Sequence, residues 1–580
     1  MKAFSDHKIL RLPLLILGLI VLLISFHVTD KNSPTIIRDF SGPGYVPFEL
    51  NHFSIGMSPE DFCFWFSNRP QSLYTFQKAE LAINRLPRKH KAEIRIRGTH
   101  AWNWDFRKPS FRIRLQGQQR ILGHETLDFI NPDDASMLAN LVADNVATQL
   151  KLVSPRTRIC TVALNNDYKG LYHLAEPINL VTLKNHDLNN HSMIEGNIRN
   201  SKMWHDQNLW QFEGPDPERL QKARKALKSM LEAVKTPVDL VKINDLSGLV
   251  DYDLTARWSA LMSAIASIHT NDFLGNLLVF DHENNRFFPA IADSTGFGVI
   301  SSMSGMHSEA DIKVPIYEFL TPFLNALFRD PEFTYLRNLA LYKLLQNQLE
   351  PVKLSGTVKK YLQVLEPMFY KEPYASALIN VPLVLFSRKI PVSPEAQIAD
   401  SQRLLDFMSA RRQFILEKLD RCSLEIVITP ATSLISGQVF KHVVLVISGH
   451  SPVDLNFAGF ENSVLPDYDF DAQLDHAKAD FYGKQLFYPA LKESFGDFPH
   501  WMLLDRRFAG FVLEPEEQIY VIGISTEVFD KCLAHVQASA KNAITGKSAV
   551  VKIVQRPFLK VPQPAGSTLH SWRKLKNGQS

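Results

Sequence analysis

The spacing of apolar residues changes partway along this 580-residue chain, and that change limits the folds the chain can adopt. Between about residues 50 and 180, apolar and polar residues alternate, as in 92–97 (AEIRIR) and 110–115 (SFRIRL), which predicts half-buried strands. From 217 to about 419 the apolar residues recur at helical spacing, interrupted by a strand-turn-strand at 276–291. This order predicts an α+β fold, in which a β-rich part precedes an α-rich part that contains one hairpin.

A third pattern begins after residue 420. Strand-like segments separated by turns predict a β-sandwich-like domain over residues 421–562. The segments are 424–428, 439–447, 518–524 and 549–554. A polar, basic tail, 563–580, ends the chain. Because one hydrophobic core rarely serves more than about 250–300 residues, we expect the preceding part, 50–420, to be organised separately.

An uncharged stretch near the N-terminus, residues 12–28 (LPLLILGLIVLLISFHV), is about the shortest that spans a bilayer as a helix. Lys2, Lys8 and Arg11 precede it, and positive flanks are retained in the cytoplasm. We therefore expect a cytoplasmic stub and membrane anchor over 1–30, a linker over 31–49 and an extracytoplasmic bulk. A cleaved signal peptide is the alternative, but the exit from the apolar run is a poor match to a cleavage site.

The composition and the absence of certain motifs exclude several kinds of function. Hydrophobic residues make up 45% and charged residues 21%, as in ordinary globular proteins, and the net charge of +4 is too small to indicate a nucleic-acid partner. The four cysteines form no CxxC pair, which argues against zinc and leaves both disulfides and free thiols open. The chain has no GxxxxGK[ST], GxSxG or HExxH motif.

Carboxylate and amide side chains flank the predicted hairpin. Asp272 and Asn276 come directly before it, and Asp293 follows it. Phosphoryl transfer from ATP needs a carboxylate near the acceptor hydroxyl and oxygen ligands that hold Mg²⁺ against the phosphates. A hairpin that brings these three side chains to one edge would supply those groups. The alternative is structural, because Asp and Asn at helix exits and turns often only cap the backbone.

Four segments in order resemble the CotH kinase family, whose type member is a spore coat protein. The resemblance covers roughly residues 48–420, and the GLYHLAE sequence within the second segment is its most specific part. The segments are 94–115, which contains IRIRG and RKPSFRIRL, 164–178 (LNNDYKGLYHLAEPI), 272–280 (DFLGNLLVF) and 289–298 (PAIADSTGFG). The resemblance implies a bilobal kinase-like domain with a β-rich N-lobe and an α-rich C-lobe.

The resemblance also implies roles for the residues beside the hairpin. Asp272 would be the catalytic aspartate, Asn276 a metal ligand and Asp293 the magnesium-binding aspartate. One expected carboxylate is missing, since the family's Trp-Asp is replaced by the sequence Ala-Ile-Ala at 290–292. The segment that begins at Asp293 also carries one extra residue. These departures weaken the expectation of two-metal chemistry.

Nucleotide-binding residues are implied in the β-rich part. Lys108, Arg112 and Arg114 are candidates for the cation that binds the phosphates, with an exposed strand face as the alternative for one or two of them. Glu176 and Ile178 fall where the β-rich part passes into the linker between lobes, which is a natural place for adenine. A backbone hydrogen bond at the strand end is the alternative for Glu176.

The resemblance thus predicts an extracytoplasmic, ATP- and Mg²⁺-dependent phosphotransferase, a single-pass membrane protein that acts on an exported protein or envelope glycan. The alternative is a catalytically weak or inactive kinase-like protein of envelope or surface assembly, because of the missing carboxylate. Carbohydrate binding by the C-terminal β-rich part is a weaker third possibility. No nucleic-acid partner is expected.

Overall fold

The computed structural model describes residues 50–555 with gaps. The longer gaps are 236–245, 268–275, 299–311, 433–438, 455–485, 488–518 and 525–539, and the others span up to four residues. The chain divides into two compact units. The first unit comprises 1–145, 154–189 and 357–401, and the second comprises 146–153, 190–356 and 402–580.

The described residues contain strands and helices throughout, which confirms the mixed α+β class. The strands are β1 Asn51–Gly56, β2 Gln77–Ile83, β3 Lys89–Ile96, β4 Phe111–Leu115, β5 Thr126–Ile130, β6 Thr157–Leu164, β7 Asp167–Ala175, β8 Ser192–Gly196, β9 Trp210–Glu213, β10 Leu277–Asp281, β11 Arg286–Pro289, β12 Ser376–Val381, β13 Val384–Pro391, β14 Cys422–Thr432, β15 Val439–Gly449, β16 Val453–Asp454, β17 Leu486–Phe487, β18 Ile519–Ile524, β19 Lys541–Asn542 and β20 Val550–Gln555. The α-helices are α1 Pro59–Ser67, α2 Ala139–Gln149, α3 Leu180–Asn185, α4 Pro217–Lys235, α5 Tyr252–Ala264, α6 Pro322–Phe328, α7 Pro331–Gln346, α8 Pro351–Phe369 and α9 Pro394–Asp420.

The first unit is built on a closed, seven-stranded sheet in the order β1-β2-β3-β4-β5-β7-β6. Neighbouring strands are antiparallel except at the closure, where β1 runs parallel to β6 and Phe53 pairs with Val162. The predicted alternation is confirmed in β3 and β4, because every second residue, such as Ile94 and Ile113, lies in the interior. Burying a side chain of this size contributes roughly 1.5–3 kcal/mol.

Aromatic side chains fill the interior of this closed sheet. The rings of Phe111 and Phe129 stack with centroids 4.9 Å apart, and Phe53 meets Phe129 edge to face. Trp65 of α1 belongs to the same buried cluster. These aromatic side chains therefore form part of the core, since interleaved aromatic and branched side chains pack at high density.

Helix α2 begins later than its hydrophobic pattern suggests. The pattern predicts a helix over 135–150, whereas α2 starts at Ala139. Asp134 accepts hydrogen bonds through Oδ2 from the backbone N–H groups of Leu138 and Ala139. Met137 has a φ of 60°, so the backbone turns before the helix begins.

The second unit contains a four-stranded sheet in the order β11-β10-β8-β9. The predicted hairpin of the α-rich part is confirmed as β10 and β11, which pair from Leu278–Pro289 to Asp281–Arg286. Helix α5 packs beside α7 and β11. Strands β14, β15, β18 and β20 form a second four-stranded sheet, and β16, β17 and β19 form a smaller one.

The predicted membrane anchor and one of the four cysteines lie outside the residues that the structure describes. The predicted anchor spans 12–28, and within the described part no helix combines the length and apolar character needed to cross a membrane. Cys63, Cys160 and Cys422 form no disulfide with one another, and burial raises the pKa of Cys422 to about 12. Cys532 also lies outside the described residues.

Candidate functional site

The hairpin β10–β11 brings two of the predicted metal ligands to the same end. Leu278 pairs with Pro289, and the backbone N–H of Ala290 donates to the carbonyl of Leu277 over 2.9 Å. Continuing this antiparallel register places Asn276 across from Ile291, two residues before Asp293. The register thus brings the backbone of Asn276 and the segment leading to Asp293 to the same end of the hairpin, whereas Asp272 lies outside the described residues.

Asp293 is exposed and stabilises its own turn. Its Oδ1 accepts hydrogen bonds from the backbone N–H of Thr295, at 3.0 Å, and from the Thr295 hydroxyl, at 2.8 Å. This is the turn geometry that the structural alternative predicted. The turn also presents the carboxylate to solvent, so the two interpretations are compatible at this residue.

The loop after Asp293 is fixed to the end of α5. The backbone N–H of Phe297 donates to the carbonyl of Ile265 over 2.7 Å, and Arg403 donates to the carbonyl of Phe297 over 3.0 Å. A Cβ on Gly296 would lie 2.6 Å from the Ile265 carbonyl oxygen, so only glycine permits this approach. Packing against α5 therefore explains why the first glycine of the sequence Ser-Thr-Gly-Phe-Gly, Gly296, is present.

A buried arginine stabilises the same end of α5. Arg411 is fully buried, and its Nη2 donates to the carbonyl of Ser263 over 2.8 Å. Its Nη1 donates to the carbonyls of Ile312 and Val314. A cation at a helix C-terminus is favourable, and these bonds hold the C-terminal end of α5 in place.

Lys108 of the first unit forms a fully buried ion pair. Its Nζ lies 3.0 Å from Oε1 of Glu372, and both side chains have 0% exposure. Glu372 also accepts hydrogen bonds from the backbone N–H groups of Leu171 and Tyr374. The ammonium lies 5.3 Å from the ring centroid of Tyr172, a cation–π distance. Sequence reasoning named Lys108 but missed Glu372, which lies 264 residues away.

The most specific sequence segment is explained by this pair. Gly170 has a φ of +85°, and a Cβ there would lie 2.0 Å from Oε2 of Glu372. The sequence GLY at 170–172 therefore supplies the space that Glu372 occupies, the Leu171 N–H that it accepts and the Tyr172 ring beside Lys108. Gly170 was the available signal that another chain segment approaches this strand.

The two candidate arginines lie on the outer face of the closed sheet, alternating with buried residues of β4. Arg112 makes a two-bond pair with Asp128, at 2.6 and 2.8 Å, and Arg97 pairs with the same carboxylate. Burial alone would raise the pKa of Asp128, but the charges and hydrogen bonds of Arg97 and Arg112 outweigh it and hold that pKa below its usual range. Arg114 pairs with Glu93.

Glu176 is buried at the end of β7. Its Oε2 lies 3.5 Å from Nε2 of His124, which also lies 3.3 Å from the amide nitrogen of Asn185. Among the described residues, neither carboxylate oxygen of Glu176 accepts a hydrogen bond. Ile178 is half-buried in the extended segment before α3. The structural alternative for Glu176, a backbone N–H that donates to its carboxylate at the strand end, is therefore not seen within that part of the chain.

Comparison with known proteins supplies the family. The model of the CotH kinase protein family matches residues 94–415, which is more than half of the chain. The chain belongs to the CotH kinase family. Its fold therefore includes a CotH kinase-like domain, and the protein is kinase-like. A search of curated proteins found no match to this CotH protein.

Membership in a kinase family implies use of a nucleotide and a divalent metal. In the described part of this CotH protein, no three His, Cys, Asp or Glu side chains are close enough together to hold a metal ion. One exposed carboxylate and one amide at the same hairpin end are nevertheless donors that suit Mg²⁺, which keeps several waters and binds proteins through one or two carboxylates. Asn276 and Asp293 therefore fit a magnesium site that relies on few protein ligands.

Proposed function

We propose that this CotH protein transfers the γ-phosphoryl group of ATP to a hydroxyl group of an exported protein or an envelope component. Support comes from family membership together with the register of β10 and β11, which brings Asn276 and Asp293 to one edge. The exported location rests on the predicted anchor at 12–28 and its positive flank.

Each candidate residue has a role in this proposal. Asp272 accepts the proton of the acceptor hydroxyl, as the catalytic aspartate of protein kinases does. Asn276 and Asp293 hold Mg²⁺, which neutralises charge on the phosphates when bound. Lys108 binds phosphate oxygens, and Glu372 orients it, in the manner of the Lys–Glu pair that protein kinases require.

The three candidate cations of the first unit differ in their surroundings. Arg112 and Arg114 form ion pairs with carboxylates on the outer face of the closed sheet. Lys108, in contrast, is buried beside Tyr172. A buried ammonium is costly unless its charge is used or compensated. Glu372 compensates it in this structure and holds the ammonium in position.

Autophosphorylation with labelled ATP and Mg²⁺ tests the function, and Asp293→Asn is the most informative variant. Asparagine keeps the Oδ1 that accepts from Thr295 but removes the charge. A metal ligand is worth several kcal/mol in the transition state, so labelling should fall about 100-fold or more. Asp272→Ala should abolish labelling.

Asp206→Asn is the matched control, because exposed Asp206 accepts from the N–H of Asn208 in the same kind of turn. Labelling of this control should equal that of the wild type. Equal labelling in wild type, Asp272→Ala and Asp293→Asn would contradict the assignment of these residues.

A non-catalytic assembly protein is the second candidate. The replacement of the family's Trp-Asp by the sequence Ala-Ile-Ala at 290–292 favours it, because one carboxylate beside Asp293 is missing. Calorimetry separates the two functions. Measurable binding of ATP with Mg²⁺ that disappears in Asp293→Asn supports the kinase, and the absence of binding to the wild type supports the assembly protein.

A further inference from the structure

An open groove of about 1030 Å³ runs along helix α4 in the second unit. Basic side chains dominate its lining, with five cations against three acids. The cations are Arg219, Lys222, Arg224, Lys225 and Lys228, and the acids are Asp216, Glu218 and Glu283. We call this feature the α4 groove.

The helix divides into a buried face and a charged face. Ala223, Leu227 and Met230 are buried, whereas Lys225 and Lys228 are exposed. At about 1.5 Å per residue, the cations from Arg219 to Lys228 extend over about 13 Å of the helix axis. An extended peptide covers that length with about four residues.

Neighbouring groups hold three of these cations in place. Arg219 donates to the side-chain carbonyl of Asn190 over 3.1 Å and pairs with Asp216. Lys222 donates to the carbonyl of His282 over 2.6 Å, and the Arg224 guanidinium lies 4.2 Å from the Phe212 ring centroid. The basic lining is therefore partly preorganised.

Lys225 and Lys228 differ from the other three cations. Neither makes an ion pair with any described residue. Their charges are thus available to a ligand that enters the groove. Burial and then the charges of Lys222 and Arg219 lower the pKa of His282, which also lines the groove, so this ring adds no positive charge there at neutral pH.

We propose that the α4 groove docks an acidic peptide segment of the protein that this kinase phosphorylates. The substrate role rests on the proposed function, whereas the binding does not. The groove is concave, which suits a single chain better than a flat bilayer. Its interspersed acids would repel a uniformly anionic polymer, but a peptide can place neutral residues beside them, and Asn190 and Gln221 offer hydrogen bonds to its backbone.

Fluorescence anisotropy with the purified full-length chain, in the absence of ATP, tests the binding. The probes are fluorescein-labelled peptides of alternating serine with glutamate, glutamine or lysine. Only the glutamate peptide should bind, and its affinity should fall with added salt, because exposed charges are screened beyond about 10 Å at 0.1 M.

The double variant Lys225→Glu with Lys228→Glu should weaken binding about tenfold or more, as each reversal removes an attraction and adds a repulsion. The matched control reverses two exposed lysines of α8, Lys359→Glu with Lys360→Glu, and should bind like wild type. Circular dichroism of both variants should match that of the wild type.

Several outcomes would overturn the proposal. One is equal weakening in the control, which would show non-specific charge attraction. Others are the absence of binding by the glutamate peptide, and preferential binding of anionic vesicles or of an anionic polysaccharide. Autophosphorylation of the wild type is measured separately. Binding without labelling would refute only the kinase function, and labelling without binding would refute only the docking groove.

Discussion

The Lys108–Glu372 pair and the Asn276–Asp293 hairpin end are built in opposite ways. The first is fully buried and is held by backbone N–H groups, an aromatic ring and a required glycine. The second has an exposed carboxylate held by a local turn. Changes at the first should therefore cost folding free energy, whereas changes at the second should cost activity and leave stability nearly unchanged.

The largest effect is expected for Glu372→Ala. It leaves the Lys108 ammonium buried without its carboxylate, and breaking one partner of a buried pair costs about 3–5 kcal/mol. Urea unfolding measures the loss. Glu366→Ala, at an exposed position of α8, is the control and should change stability by less than about 0.5 kcal/mol.

The double variant Lys108→Met with Glu372→Gln refines this test. It removes both charges and keeps an acceptor for one of the two N–H groups, those of Leu171 and Tyr374, that bond different oxygens of Glu372, so it should be more stable than Glu372→Ala. If it is less stable, the pair itself rather than the orphaned charge stabilises the fold.

Gly170→Ala should cost about 2–3 kcal/mol, because its Cβ enters the space of Glu372 and the positive φ adds roughly 1–2 kcal/mol of strain. Gly117→Ala is a matched control. Its φ is +76°, but a Cβ there would meet nothing within 4 Å, so only the backbone strain remains. Thermal unfolding of both variants separates the two contributions, and equal losses would mean that contact with Glu372 costs nothing.

Asp128 should make the free energy of unfolding depend on pH in the acidic range. Its folded-state pKa is lowered, so its contribution to stability is present above the ordinary value of 3.8 and is lost as the pH falls from there through the folded-state pKa. Asp128→Asn should destabilise the protein by about 2–3 kcal/mol at pH 7, and the difference from wild type should shrink below about pH 4. Urea unfolding at several pH values measures it, and a constant difference would contradict the lowered pKa.

Arg114→Ala should have the smallest effect. Its pair with Glu93 is on the outer face, with half of the arginine side chain exposed, and such pairs contribute about 0.2–1 kcal/mol. Calorimetric ATP affinity should also be unchanged, whereas Lys108→Met should weaken it. A large loss of ATP affinity in Arg114→Ala would restore Arg114 as the phosphate-binding cation.

The local patterns of the chain could be predicted from sequence. Alternation predicted β3 and β4, helical spacing predicted α4, and the hairpin that carries Asn276 was recognised from its turn. These features depend on neighbouring residues, so a short window of sequence contains the information that determines them.

Long-range pairing could not be predicted in the same way. Glu372 was not identified because its partner Lys108 lies 264 residues earlier, and no local period connects them. The ion pair between Arg112 and Asp128 likewise depends on β4 and β5 being neighbours in the sheet.

The parallel pairing of β1 with β6 has a consequence for synthesis of the protein. The strands meet at Asn51–Cys160 and Ile55–Leu164, so the sheet cannot close until more than a hundred further residues have left the ribosome. During that interval the nascent chain carries two unpaired strand edges, which are templates for misassembly. Correct closure of this sheet therefore depends on keeping these edges unpaired until β6 has been synthesised.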